Sequence, residues 1–362
     1  MNTVLLEGKS GYKVFRAIGR QVYCGNPFHR GTEAGVERLV LSEQTAFSRH
    51  ATVIMFAIRD GNNLVGRFAL IQDKYLPDYV QVSFFEAQAG LIDVFGLIRK
   101  EIARHFPAYA KVIVGLNGHL NYGAGFLLTR FEEAPVFGLP YTQPYYPEYF
   151  RELTEKRMHS FRFPLEGYAA WANTYDAKRS MKGLNVRYMH KASIRKEIAI
   201  YTQLNNDAFL NHPYWARREE ADDFELFSPF RFFLKDENLI IAEDQGKPVG
   251  FYLWYPDFNQ LITTRRDFNP LDVMKYRLFN PIDTIRFTEI GILPEYQNTA
   301  VGYALIDKAL PSILQGGYTY CEGGFIFEEN IRSMAFVKGI LRRCFGQNPE
   351  PYRTYAVYET HL

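Results

Sequence analysis

Two stretches of the chain share one pattern of apolar and polar positions. Met55–Leu70 and Leu239–Trp254 each run as an apolar segment, an acidic turn containing glycine, a Val-Gly pair and a second apolar segment. That pattern predicts a β-hairpin in each place. The Val-Gly pairs stand at 65–66 and 249–250, 184 residues apart in a chain of 362.

The order of elements after each hairpin also repeats. In the first half a strand over Val80–Ala87, a helix over Ala89–His105 and a strand over Lys111–Leu116 follow. In the second, a strand over Thr284–Leu293, a helix over Ala300–Leu314, a strand over Tyr318–Phe327 and a helix over Ile331–Arg342 follow. A long helical region, Ile194 to about Phe233, precedes the second hairpin. A repeat with this order predicts a duplicated α/β unit, each copy a mixed, mostly antiparallel twisted sheet flanked by helices. The expected division is 1–163, a join at 164–184 marked by Pro164, Gly167 and Gly183, and 185–362.

Composition narrows the function classes. Apolar residues make up 47% and charged residues 23%, with 25 Tyr and 30 Phe, which suits large aromatic cores or a cleft lined by rings. The net charge of +2 gives no global field toward nucleic acid or an anionic membrane. Arg217 and Arg218, followed by Glu219 and Glu220, read as a solvated face. Cys24, Cys321 and Cys344 are too far apart for a zinc motif, so no metal is expected. No apolar run approaches the ~18 residues a membrane span needs, and a reducing cytoplasm is the expected compartment.

Arg286–Leu305 is the segment richest in chemistry. An apolar strand ends at Pro294, a polar loop covers Glu295–Thr299, and a helix opens near Ala300 with small residues at 300, 302 and 304. Free amides at a helix N-terminus, backed by the dipole, form an anion cradle, and small side chains let a pyrophosphate approach. The first half has no counterpart: Gln88-Ala-Gly-Leu-Ile-Asp93 follows its strand. The first copy is therefore expected to lack the cofactor and to wall an acceptor site.

Ile292, Pro294, Gln297, Ala300 and Gly302 stand where the GNAT N-acetyltransferase superfamily has its apolar residue, Pro and Gln/Arg-x-x-Gly-x-Gly/Ala, with Ala300 replacing the first Gly. Glu328-Glu-Asn330 before a helix and the closing Tyr352–Tyr358 run resemble later elements of that superfamily. Gly115-Leu-Asn-Gly118, Gly125-Phe-Leu-Leu128 and Tyr145-Tyr-Pro-Glu148 are similar to motifs of tandem GNAT-like bacterial proteins.

The resemblance implies an acyl-CoA-dependent N-acyltransferase, acetyl foremost, that modifies a primary amine of a small molecule or peptide. The backbone of Gly291, Ile292 and Leu293 would pair with the pantetheine arm. The loop and first turn, Gln297, Asn298, Thr299, Ala300, Val301, Gly302 and Tyr303, would hold the pyrophosphate. Glu289 is the candidate base. Asn330 stands near the thiol or caps its helix, and Tyr355 is a candidate acid or a packing residue. The position that often holds Tyr in that superfamily is Phe336 here. His119, Asn121 and Tyr122 in the first half, and His212 and Trp215 in the second, are the candidate acceptor residues. No nucleic-acid or membrane partner is implied, and the chain is read as a monomer or homodimer. Two alternatives stay open: an aminoacyl-tRNA-dependent transferase of tandem GNAT type, and a non-catalytic CoA-binding protein.

Overall fold

The computed structural model describes residues 1–109, 111–174, 183–262, 266, 268–346 and 348–361. In chain order the first half runs β1 (Asn2–Leu6), α1 (Gly8–Val22), α2 (Ala34–Leu41), β2 (Ala51–Asp60), β3 (Asn63–Asp73), β4 (Tyr79–Ala87), α3 (Val94–His105), β5 (Lys111–Val114), β6 (Phe126–Leu127), α4 (Tyr146–Tyr149), β7 (Thr154–Pro164) and α5 (Leu165–Thr174). The second runs β8 (Leu184–Tyr188), α6 (Ile194–Ala208), α7 (Glu220–Phe227), β9 (Leu239–Asp244), β10 (Lys247–Pro256), α8 (Pro270–Phe279), β11 (Thr284–Ile292), α9 (Val301–Gln315), β12 (Tyr320–Phe327), α10 (Ile331–Phe345) and β13 (Arg353–His361). The expected join at 164–184 lies partly outside the described residues.

Both predicted hairpins form, as β2–β3 and β9–β10. Their Val-Gly pairs have a shared physical reason. A Cβ on Gly66 would lie 3.0 Å from the Glu86 carbonyl, and one on Gly250 would lie 3.0 Å from the Gly291 carbonyl. Each copy brings its next strand too close for a side chain there. Each copy also bulges that next strand. β10 pairs Leu253 with Glu289 and Trp254 with Phe287, leaving Thr288 as the extra residue. β3 pairs Arg67 with Glu86 and Ala69 with Ser83, and Phe84 takes a φ of 50°.

The strands form one sheet in the order β1-β2-β3-β4-β5-β13-β7-β12-β11-β10-β9-β8, with β6 paired on β13. The order is symmetric about β13–β7, and the last strand of each half has crossed over. β7 pairs with β12 of the second copy, and β13 pairs with β5 of the first. The two exchanged strands then pair with each other over Thr154–Ser160 and Arg353–Glu359.

Helices cover the sheet where the pattern leaves apolar faces. In the first half Ile98 and Ile102 of α3 bury against Phe56, Val82 and Val114. In the second, Leu305, Ala309 and Ile313 of α9 bury against Ile240, Trp254 and Ile285. Each Leu or Ile among these contributes about 1.5–3 kcal/mol on burial. A polar clasp also joins the halves. His50 Nδ1 lies 3.0 Å from Asp73 Oδ1, and His50 Nε2 lies 3.1 Å from Asp222 Oδ2 on α7. Burial alone would lower the His50 pKa, but hydrogen bonds to Asp222 and Asp73 outweigh it and raise the imidazole to about 9.

No helix among the described residues is long and apolar enough to cross a membrane, and no group of three or more His, Cys, Asp or Glu there could hold a metal ion.

Candidate functional site

The bulge at Thr288 sets the site. On one edge β11 stays paired with β10 as far as Ile292. On the other, its parallel pairing with β12 ends at Phe287 and Gly323. Past that step the two strands part and leave β11 backbone facing an opening. A cavity of about 1180 Å³ fills this opening and extends to the first half. Glu289, Gly291, Ile292 and Asn330 line it, and so do Asn121 and Tyr122 from the first copy.

The loop after β11 closes one end. Asn298 takes a φ of 63°, a left-handed conformation that Asn tolerates and that turns the chain into α9. Gln297 Nε2 donates to the Ile292 carbonyl at 3.3 Å, and Arg332 Nη1 donates to Gln297 Oε1 at 3.2 Å. Thr299 Oγ1 donates to the Tyr296 carbonyl at 2.5 Å. Ala300 occupies the N-cap of α9 and offers no side-chain acceptor, and the Val301 amide donates instead to Thr299 Oγ1 at 3.4 Å. A Cβ on Gly302 would come within 3.2 Å of Ile292 Cδ1, so glycine lets α9 approach the strand. Gln297, Asn298, Thr299, Gly302 and Tyr303 are on the cavity wall. Leu293, Ala300 and Val301 are not; the Leu293 amide donates to the Val249 carbonyl at 3.0 Å, and the Val301 side chain is fully buried.

The corresponding opening in the first half is filled. Ser83 Oγ donates to the Leu116 carbonyl at 2.5 Å, the Phe84 amide donates to Asn117 Oδ1 at 2.8 Å, and Gln81 makes two hydrogen bonds with the Gly118 backbone. Residues 116–118 therefore sit in that opening and take the Phe84 amide that faces it. The Asp93 carboxylate also lies over the first turn of α3, where a Cβ on Gly96 would overlap it. A carboxylate there disfavours an anion at the α3 N-terminus.

Glu289 faces the cavity and is held by α6 behind it. Tyr201 Oη donates to Glu289 Oε1 at 2.9 Å, and Asn205 Nδ2 donates to Oε2. Tyr201 and Asn205 are four residues apart, so both project from one face of α6. Asn121 Nδ2 and Arg218 Nη2 donate to the Tyr201 phenol at 3.2 and 3.3 Å. Burial raises the Glu289 pKa, and the Arg218 charge and the two hydrogen bonds pull it back.

Arg218 corrects the reading of a solvated face. It is 3% exposed and lies 2.6 Å from Asp223 Oδ1. Burial pushes Asp223 up to about 6 despite the opposing charge of Arg218. The sequence signal for this pair was weak, since the acids at 219 and 220 stood nearer.

The other candidates divide. Asn330 lines the cavity, and its side chain accepts from the Ser333 amide at 3.1 Å, so it caps α10. Tyr355 is fully buried between β6 and β7 and is not on the cavity wall. His119 is 1% exposed and also off the wall; Nε2 lies 2.9 Å from the Ala216 carbonyl, and Nδ1 accepts from the Asn121 amide at 3.0 Å. This tautomer is neutral, and burial together with the Arg218 charge holds the His119 pKa well below its usual value. It latches the two halves. Tyr122, His212 and Trp215 do line the cavity, with His212 pushed down to about 4 by burial. The structure adds Glu33, Tyr201 and Arg332 to the wall. Glu33 opens onto the cavity, yet burial among protein groups and the nearby Glu86 push its carboxyl up to about 8.

No family model matches the chain. A tandem GNAT protein from the clavulanic acid biosynthesis pathway, solved without AcCoA, aligns over 99% of this chain and 98% of its own, at 12% identity and a TM-score of 0.55. The fold is that of a tandem GNAT protein. A probable N-acyltransferase from Enterococcus faecalis V583 aligns over 99% of this chain and 71% of its own, at 10% identity and a TM-score of 0.53. A GCN5-related N-acetyltransferase from Anabaena variabilis ATCC 29413 aligns over 99% and 72%, also at 10% identity and 0.53. In sequence, Protein YghO of Escherichia coli (strain K12) is 21% identical over 265 residues, 67% of this chain. The match spans 64% of the length of that protein. At these identities the likeness concerns the fold.

Proposed function

We propose that the protein is an acyl-CoA-dependent N-acyltransferase acting on a primary amine of a small molecule or peptide. The observation that supports this most is the parting of β11 and β12 past Thr288, with a helix N-terminus at one end of the opening and Glu289 on its wall.

The residues present fit a CoA ester. The N-terminus of α9 turns its positive dipole end toward a pyrophosphate, Gly302 and the Asn298 turn allow close approach, and Arg332 adds a cation on the wall. The unpaired edge of β11 offers backbone partners to an extended pantetheine arm. The ester supplies an activated carbonyl. Glu289 takes a proton from the bound ammonium, and the freed lone pair attacks the thioester carbon. The C–N bond forms as the C–S bond breaks, and the thiolate leaves to be protonated, giving an amide and the free thiol. A raised pKa suits Glu289 to this work, because a base is strongest when its pKa lies near the working pH. Asn121, Tyr122, His212 and Trp215 border the space left for the acceptor.

The test is binding followed by turnover. Coenzyme A esters should raise the melting temperature, and Glu289→Gln should keep that shift while losing amide formation across an amine panel. No shift with millimolar CoA esters sinks the proposal.

A further inference from the structure

The cavity does not end at the loop. Gly302, Ile306, Leu310 and Ile313 line it from one face of α9. Eleven steps of about 1.5 Å carry that face roughly 16 Å along the helix. From α10 the wall is Phe336, Ile340 and Leu341, and Phe161, Phe163 and Leu165 from β7 and α5 face it. Arg332 of α10 reaches Gln297, so both helices start beside the loop and the apolar arm leads away from it. Cys321 and Tyr168 add a thiol and a phenol, both held protonated by burial.

The whole cavity, about 1180 Å³, exceeds the ~300–1,000 Å³ usual for drug-sized ligands. A length of about 16 Å is on the order of ten C–C bonds of ~1.5 Å.

Gly323 stands at the entrance. It is the partner of Phe287 at the last paired step before the strands part. A Cβ there meets only the Phe161 carbonyl oxygen, at 3.8 Å, so the position has room for a side chain that it does not carry. It shares a strand face with Cys321, and both line the cavity.

We propose that the acyl donor carries a medium- to long-chain fatty acyl group, housed in the apolar arm between α9, α10 and β7 that Gly323 keeps open. This rests on the acyltransferase reading above and specifies its donor. The thioester carbonyl would sit where β11 and β12 part, and the chain would run down the α9 face.

Calorimetric titration of the full chain with acetyl-, octanoyl-, lauroyl- and palmitoyl-CoA tests it. In the wild type Kd should fall at least tenfold from acetyl to lauroyl. Gly323→Leu should abolish that gain while holding acetyl-CoA within about threefold of wild type, and Gly323→Ala should bind as wild type does. If Gly323→Leu does not fold, Ile340→Phe, farther along α10 from the loop, should shift the preferred chain to octanoyl. Affinity independent of chain length overturns the inference alone. Equal loss of acetyl- and lauroyl-CoA in a folded Gly323→Leu overturns it too. Failure of every CoA ester to bind overturns the acyltransferase reading with it.

Discussion

Tyr201 donates a 2.9 Å hydrogen bond to Glu289, so a helix preceding the second hairpin controls a carboxylate on the strand before the loop at Gln297. Glu289→Gln should lower kcat by about 100-fold or more, the range of a lost general base, with CoA binding retained. The Glu289 pKa lies above its usual 4.5, so activity should rise with pH through that raised value. Tyr201→Phe removes a bond that favours the ionised form and should move this limb to higher pH. A pH–rate profile identical to wild type would exclude the coupling.

Arg332 binds Gln297 from the first turn of α10 and lines the cavity beside the loop. Arg332→Ala should weaken CoA binding by about tenfold, the low end for a hydrogen bond to a charged group. The loss should shrink as salt rises. Titrations at two ionic strengths check both.

The first copy should bind no second CoA ester, because Asn117 and Asp93 fill the positions that the second copy leaves open. Calorimetry should give one site per chain. A stoichiometry of two would contradict the assignment.

His50 should make stability fall as pH rises. Its folded pKa of about 9 exceeds the unfolded value of 6.5. The clasp with Asp73 and Asp222 is thus fully present below about 6.5 and is lost as pH climbs through about 9. Glu33 and Glu86, pushed up to about 8 and about 7, titrate in the same window. The difference between wild type and His50→Gln isolates the histidine. Melting curves from pH 6 to 9.5 should converge toward the alkaline end, and a constant gap would refute the clasp.

The exchanged strands should bind the fate of one half to the other. β13 is hydrogen-bonded to β5 and β7 at once. A chain ending at residue 352 should lose protection of β5 amides in the first half, measured by hydrogen exchange. Unchanged β5 protection would contradict the topology.

Much of this was legible in the residues. The hairpins, the strand that ends at Ile292 and the loop at Gln297–Gly302 follow from local pattern and turn chemistry. The exchange of β7 and β13 was not, because an alternating strand does not say which edge it will join. Tyr355 illustrates this: its place on the last strand was read correctly, but the partners of that strand bury it away from the cavity. Arg218 was misread because nearby acids resembled a solvated face, whereas its partner Asp223 lies on the next helix. Tyr201 and Asn205 had the spacing of one helix face, but nothing local pointed that face at Glu289.

The most direct test is a crystal structure of the protein grown with coenzyme A. The pyrophosphate should lie against the backbone of residues 298–302, with the thiol between β11 and β12 beside Glu289. Coenzyme A bound in the first half, or outside the opening past Thr288, would contradict it.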